Sequence, residues 1–181
     1  MSVLTTTIAA PRARQAERPS FAQAAEAHLD DVFAYLTYLT CDRGLADDLT
    51  AATFERALSL WRRFDPRRGS AKTWLCQIAR TTALDHFRAE ERRRRREGSY
   101  AARELRSGGE PAISEGLSPE LEHALAALSA AEREVIALRV LLELDGPTAA
   151  RVLGISETAC STRLSRALQR LEERMRLAVP A

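Results

Sequence analysis

Wherever apolar residues gather in this chain they recur three and four positions apart, and nowhere do they alternate. Leu29, Val32, Phe33, Leu36 and Leu39 keep that spacing, as do Trp74, Leu75, Ile78, Ala79 and Leu84. Such a stripe suits a helix of 3.6 residues per turn and cannot line one face of a strand. The spacing therefore predicts an all-α chain. A first helix covers the segment after Phe21, and Asp42-Arg43-Gly44 breaks it. A second runs from about Ala46 to Arg63, with Phe54, Ala57, Leu58 and Trp61 on one side. The stretch FDPRRGS over 64–70 is a loop by its Pro and Gly, and a third helix runs from Ala71 towards Arg94.

The pattern then stops. Residues 97–117 hold four glycines and a proline with little apolar content, the composition of a flexible linker. Helices resume at Ser118-Pro119, a capping residue followed by Pro at the first helical position. Ser129 with Glu132 three residues later predicts a capping box. Asp145-Gly146-Pro147 opens a short helix that ends at Gly154, and Ser156 caps the last one. Its stripe is Cys160, Leu164, Ala167, Leu168, Leu171 and Met175. Four segments follow: an aperiodic, disordered extension (1–20), a helical domain (21–96), the linker (97–117) and a second helical domain (118–181). Nine of the ten aromatic residues lie between Phe21 and Phe87 and none lies after Tyr100, so two independent helical cores are expected.

Composition narrows the function. No apolar run is long enough to span a bilayer, no secretory leader is expected, and three widely spaced cysteines fit a reducing compartment rather than a disulfide or zinc site. His28, His86 and His123 stand apart from the cysteines and from each other. No catalytic constellation, metal site, cofactor site or glycine-rich phosphate loop is expected. The net charge of +2 conceals a segregation. Residues 21–96 carry 14 basic and 11 acidic side chains, residues 118–145 carry 2 and 6, and residues 156–176 carry 5 and 3. Positive charge gathered in two separate stretches suits a two-site polyanion binder. Of the 27 basic residues 26 are arginine, whose planar fork matches phosphates and base edges, and Arg92–Arg96 form an unbroken run.

The stretch TAARVLGISETACSTRLSRAL (148–168) has helix-turn-helix spacing. Small Ala150 allows two helices to approach, Gly154 four residues on supplies a left-handed turn, and Ile155 and Cys160 plug the gap. An ordinary helical hairpin ended by glycine has the same spacing. In the DNA-binding form the second helix enters the major groove by its N-terminal half, offering Thr158, Ser161, Thr162, Arg163, Ser165 and Arg166 beside Glu157.

With its flanks, from LSAAEREVIALRVLLELDG onward, this stretch resembles region 4 of bacterial sigma factors in their extracytoplasmic-function form. ADDLTAATFERAL and WLCQIARTTALDHFRAEERRRR resemble region 2 of the same family. The resemblance covers about 21–96 and 118–176 in the family's order. It implies a region 2 helical bundle and a region 4 helix-turn-helix joined by the linker, in a protein without enzymatic activity that brings core RNA polymerase to promoters and helps to open them.

Residue by residue, the resemblance implies three sites. The polymerase clamp coiled coil of the β′ subunit is met by Asp47, Asp48, Leu49, Thr50, Glu55 and Arg56, with Ala51 and Ala52 where the family has Gln and Glu. The non-template strand of the −10 element is met by Arg67, Arg68, Lys72, Thr73, Arg80, Thr81, Asp85 and Arg88, near Gly69 and Ser70. The −35 element is met by Thr158, Ser161, Thr162, Arg163, Ser165 and Arg166. The β flap and an anti-sigma factor are the further partners implied, no small-molecule substrate is, and the location implied is cytoplasmic and nucleoid-associated. In the family the linker also threads the polymerase towards its active-site channel, where Glu97, Glu104, Glu110 and Glu115 would mimic nucleic acid. The rival readings are an autonomous helix-turn-helix regulator that needs no polymerase and a helical interaction protein that needs no DNA.

Overall fold

The computed structural model describes residues 18–97 and 117–178. Most of the expected N-terminal extension and linker, including Glu104, Glu110 and Glu115, lies outside the described residues. Among the described residues there are seven α-helices: α1 (Phe21–Thr40), α2 (Arg43–Leu60), α3 (Ala71–Glu97), α4 (Pro119–Ala126), α5 (Ala130–Ile136), α6 (Gly146–Leu153) and α7 (Glu157–Ala178). A 3₁₀ turn, Trp61–Arg63, follows α2, and a π-helical turn, Ala137–Leu141, extends α5. There is no strand among the described residues.

The ends of the helices are chemically written. The Ser20 hydroxyl accepts from the Gln23 amide while the Gln23 side chain accepts from the Ser20 amide, a reciprocal cap on α1. Cys41 closes that helix in the left-handed region at φ 53°. Asp42 then caps α2 through the Leu45 amide at 2.9 Å, so α2 begins at Arg43. Gly44 sits inside its first turn and breaks nothing, because the carboxylate cap outweighs one glycine there. In the second half Ser118 caps α4, Ser129 and Glu132 form the expected box on α5, and Asp145 caps α6.

Packing departs from expectation in one respect. Val32, Tyr35, Leu36, Leu39, Leu75 and Ile78 of the first half join Leu125, Val135, Ile136, Leu138, Val152 and Leu153 of the second in a single connected core. α1 lies against α2 and α3 on one side and against α5 and its π-helical turn on the other, and α3 touches α6. The two helical domains are present, but their cores are not independent. The apolar stripe of α1 is wider than one neighbour can cover, and the aliphatic face of α5 takes the remainder. Leu36 has no exposed surface; burying a leucine so completely stabilises the fold by about 1.5–3 kcal/mol. Three residues of the expected stripes face outward instead, Leu29, Leu58 and Leu168. Cys76 and Cys160 are buried and Cys41 half-buried, all three as free thiols; burial pushes Cys76 up to about 12.

Candidate nucleic-acid interface

The turn between α6 and α7 is built as the sequence spacing predicted. Gly154 takes φ 68°, and the Ile155 amide reaches back to the Ala150 carbonyl at 3.1 Å. Ala150, Val152, Leu153 and Cys160 are buried, which fixes α7 against α6. The Ser156 hydroxyl accepts from the Ala159 amide at 3.2 Å and starts α7. Thr158, Ser161, Thr162, Ser165 and Arg166 are then exposed on one side of α7, with Arg163 half-buried. Thr158, Thr162, Arg163 and Arg166 line an open groove of about 600 Å³ together with Ser129, Glu132 and Arg170. Arg170 was not anticipated from sequence; it lies one turn beyond Arg166 on α7, and its ion pair with Glu132 anchors it in the groove wall. Ser129 hydrogen bonds, followed by Arg170, hold the Glu132 carboxyl below the usual carboxylate range.

The second surface lies between α2 and α3. Asp65 folds the loop by accepting from the Arg67 amide at 2.9 Å, with an Arg68 amide bond to the Asp65 carbonyl at 3.0 Å. Beside it opens a cleft of about 240 Å³, lined by Arg63, Phe64, Asp65, Arg68, Gly69, Ser70, Thr73, Trp74, Gln77 and Arg151. Its floor is aromatic: Trp61 stacks on Phe64 at 4.8 Å between ring centres, and Phe64 meets Trp74 at 5.6 Å. Trp74 packs against the core and contributes to the cleft wall as well. Arg63, Phe64 and Gln77 were missed by the sequence reading, though WRRFDPRR carries the signal of cations interleaved with rings.

The expected −10 residues are not all on one surface. Arg67 and Arg68 are exposed on the loop. Thr73 is buried, its hydroxyl 2.9 Å from that of Ser70, and so serves the start of α3. Lys72 points to α1, where its ammonium pairs with Asp31 at 3.1 Å. Thr81 is exposed and donates to its own helix at the Gln77 carbonyl. Asp85 pairs with Arg56 of α2 at 3.1 Å and faces Arg88 at 3.7 Å, linking a residue expected at the clamp to two expected at DNA. Arg80 pairs with Glu134 at 2.8 Å.

On α2, Asp47, Asp48, Glu55 and Arg56 are exposed beside Leu58, while Leu49 and Thr50 are buried, Thr50 donating to the Ala46 carbonyl at 2.7 Å. The arginine run belongs to the last turns of α3, where Arg94 and Arg95 pair with Glu90 and Glu91 one turn back. Cations there complement the negative end of the helix dipole.

Comparison with known proteins finds a match in each helical half. The family described as Sigma-70 region 2 matches residues 24–93, and that described as Sigma-70, region 4 matches residues 118–171. The chain is similar to the ECF RNA polymerase sigma factor SigC of Mycobacterium tuberculosis, 36% identical over 137 residues, covering 76% of this chain and 73% of the relative. It is also similar to the ECF RNA polymerase sigma factor BldN of Streptomyces coelicolor, at 32% identity over 88% of this chain and 62% of that one. Among solved structures it resembles the sigma factor RpoE of Bartonella quintana, crystallised with the anti-sigma factor NepR. The TM-score is 0.72 and the identity 25%, with 86% of this chain and 96% of that one covered.

Proposed function

This chain belongs to the sigma-70 family, in its extracytoplasmic-function group, and from that premise we propose how its two surfaces divide the work at a promoter. The groove face of α7 takes the −35 element as duplex. Its hydroxyls and arginines hydrogen-bond base edges and phosphates in the major groove. The loop 65–70 and its aromatic-floored cleft take the −10 element as single strand. Extruding a base costs a few kcal/mol; stacking on an aromatic floor contributes about 1–3 kcal/mol per base and offsets it. Arg67 and Arg68 at the rim track the phosphates, and Arg88 with the arginine run continues the positive track along α3.

The observation that carries this reading is that one chain presents two unlike surfaces, a hydroxyl- and arginine-bearing helix on a helix-turn-helix and a cation-rimmed aromatic cleft. A duplex reader needs only the first. The exposed acidic and apolar face of α2, with Asp47, Asp48, Glu55 and Leu58, supports it as the side offered to core RNA polymerase, at the clamp coiled coil of the β′ subunit, and the β flap is the second contact in this reading. The protein carries no chemistry of its own in this role. It works in the cytoplasm at the nucleoid; among the described residues no helix is long and apolar enough to cross a membrane. An anti-sigma factor holds it inactive, a reading supported by the RpoE structure with NepR. Glu97 and the linker glutamates act as a displaceable stand-in for RNA.

Transcription from a genomic DNA library with core polymerase, with and without this protein, is the test. Promoter-specific transcripts that require both components are expected. Tight sequence-specific duplex binding by the protein alone, with no effect on core polymerase, would instead make it an autonomous regulator.

A further inference from the structure

Several cations of this fold are neutralised where they stand. Arg56, Lys72, Arg80, Arg94, Arg95 and Arg170 each face a carboxylate. One end of the first domain differs. Arg18, Arg62, Arg63, Arg67 and Arg68 are exposed, and their guanidinium groups pair with no carboxylate among the described residues. They lie around one aromatic cluster, in which Trp61 is stacked on Phe64 and meets Trp74 edge-on at 5.5 Å.

Arg18 stands 43 residues before the ring it covers. Its guanidinium lies over Trp61, 5.7 Å from the ring centre, and donates to the Trp61 carbonyl. The backbone that carries it is tied to the same place. Ser20 and Gln23 cap α1 reciprocally, and the Phe21 ring meets Trp61 edge-on at 5.5 Å. A guanidinium has five N–H donors. A ring face and a carbonyl orient such a fork without cancelling its charge, so Arg18 is held ready for an anion. It does not line the cleft beside the loop 65–70. It stands behind Trp61, near the first turn of α3 and far from the last turns that carry the arginine run.

We propose that Arg18 is a phosphate-binding residue for the single strand: it holds the backbone of a nucleotide flanking the one in the cleft, at the end of the strand away from Arg92–Arg96. The proposal rests on the −10 reading above and extends it. The strand is gripped on both sides of the extruded base, by Arg67 and Arg68 at the rim and by Arg18 behind the rings. Two such grips fix which nucleotide lies over the aromatic floor, and neither reads its identity.

The test uses the full chain assembled with core polymerase. The probe is a labelled promoter recovered in the transcription test above, left single-stranded over its non-template −10 stretch. Each phosphate of that stretch and its flanks is replaced in turn by an uncharged methylphosphonate. Fluorescence anisotropy gives the affinity of wild type, Arg18→Gln, Arg18→Lys and Arg43→Gln for each probe at several salt concentrations. Wild type is expected to lose about tenfold at one flanking phosphate, the scale of one charge-assisted bond. Arg18→Gln should be weaker on the unmodified strand by the same factor and indifferent to that one replacement, while it stays sensitive at the phosphates met by the loop. Its slope of log affinity against log salt should fall by about 0.7, the single-strand value for one phosphate. Arg18→Lys keeps the charge and should recover most of the loss. Arg43→Gln removes the guanidinium that lies over the Phe33 ring at 5.2 Å, at the other end of α2, and should match wild type throughout.

A loss in Arg18→Gln that leaves the salt slope and every phosphate's sensitivity as in wild type makes Arg18 a brace for Trp61 and overturns the proposal. Losses spread evenly over all phosphates, or shared by Arg43→Gln, reduce the effect to net charge and overturn it too, as does an Arg18→Gln protein equal to wild type. Arg67→Ala combined with Arg68→Ala, on the same probes, separates the two levels. If that pair changes phosphate sensitivity and Arg18→Gln does not, the −10 reading stands and Arg18 leaves it. If neither changes it, or no promoter is recovered, the −10 reading and the proposal fall together.

Discussion

Arg170 on α7 is paired with one oxygen of Glu132 on α5, while the other oxygen accepts from the amide and hydroxyl of Ser129 at 2.9 and 2.7 Å. One carboxylate therefore starts α5 and fixes the wall of the groove beside α7. Its folded pKa lies below its unfolded one, so it stabilises the fold above about pH 4.3 and that contribution is lost as pH falls through the lowered value. Urea denaturation between neutral and acid pH should show wild type losing stability faster than Glu132→Gln as pH drops below that point. Parallel curves would detach Glu132 from the acid response. Ser129→Ala, which removes the cap hydroxyl, should cost about 0.5–2 kcal/mol at neutral pH.

Gly154 sits at φ 68° with no heavy atom within 4 Å of where a Cβ would stand. The cost of Gly154→Ala is thus backbone alone, about 1–2 kcal/mol for a left-handed residue with a side chain. Thermal melts should register that loss, and duplex binding at the −35 element should survive at temperatures where the domain stays folded.

Arg163→Ala and Arg166→Ala should each weaken promoter use by about 1–3 kcal/mol if they meet base edges, read as polymerase recruitment to a −35-dependent promoter. Arg166 is exposed and Arg163 half-buried on the groove side, and neither belongs to the buried core, so neither change should unfold the domain. Full transcription from both variants would take α7 out of the groove.

Arg67→Ala combined with Arg68→Ala should leave −35 binding intact and reduce opening. Permanganate reactivity of −10 thymines is the measurement, with unchanged reactivity counting against the loop. Trp74→Ala is a poor substitute, since removing a large packed aromatic costs about 3–5 kcal/mol of stability and would confuse folding with function.

Much of this was legible in sequence because capping and turn chemistry are local. Ser129 with Glu132, Asp145, and Gly154 four after Ala150 fix helix ends within a few residues, and the structure has each in the expected role. The docking of the domains was not legible. Glu134 looks like one charge on a polar helix face, and Tyr35, the partner that buries it, lies 99 residues away. Periodicity shows that α1 has an apolar stripe but not how many neighbours cover it, so the shared core was missed. The same limit placed Leu29, Leu58 and Leu168 inside and gave no sign that Lys72 turns to Asp31 rather than to the strand.

α3 is one helix of 27 residues with neither glycine nor proline within it. At ~1.5 Å per residue, Ala71 and Arg94 stand about 35 Å apart, close to the ~34 Å of one duplex turn. The cleft and the arginine run are thus two marks on a rigid gauge. In the proposed −10 reading, DNA gripped at one mark would meet the other at a fixed interval along its axis, independent of the linker.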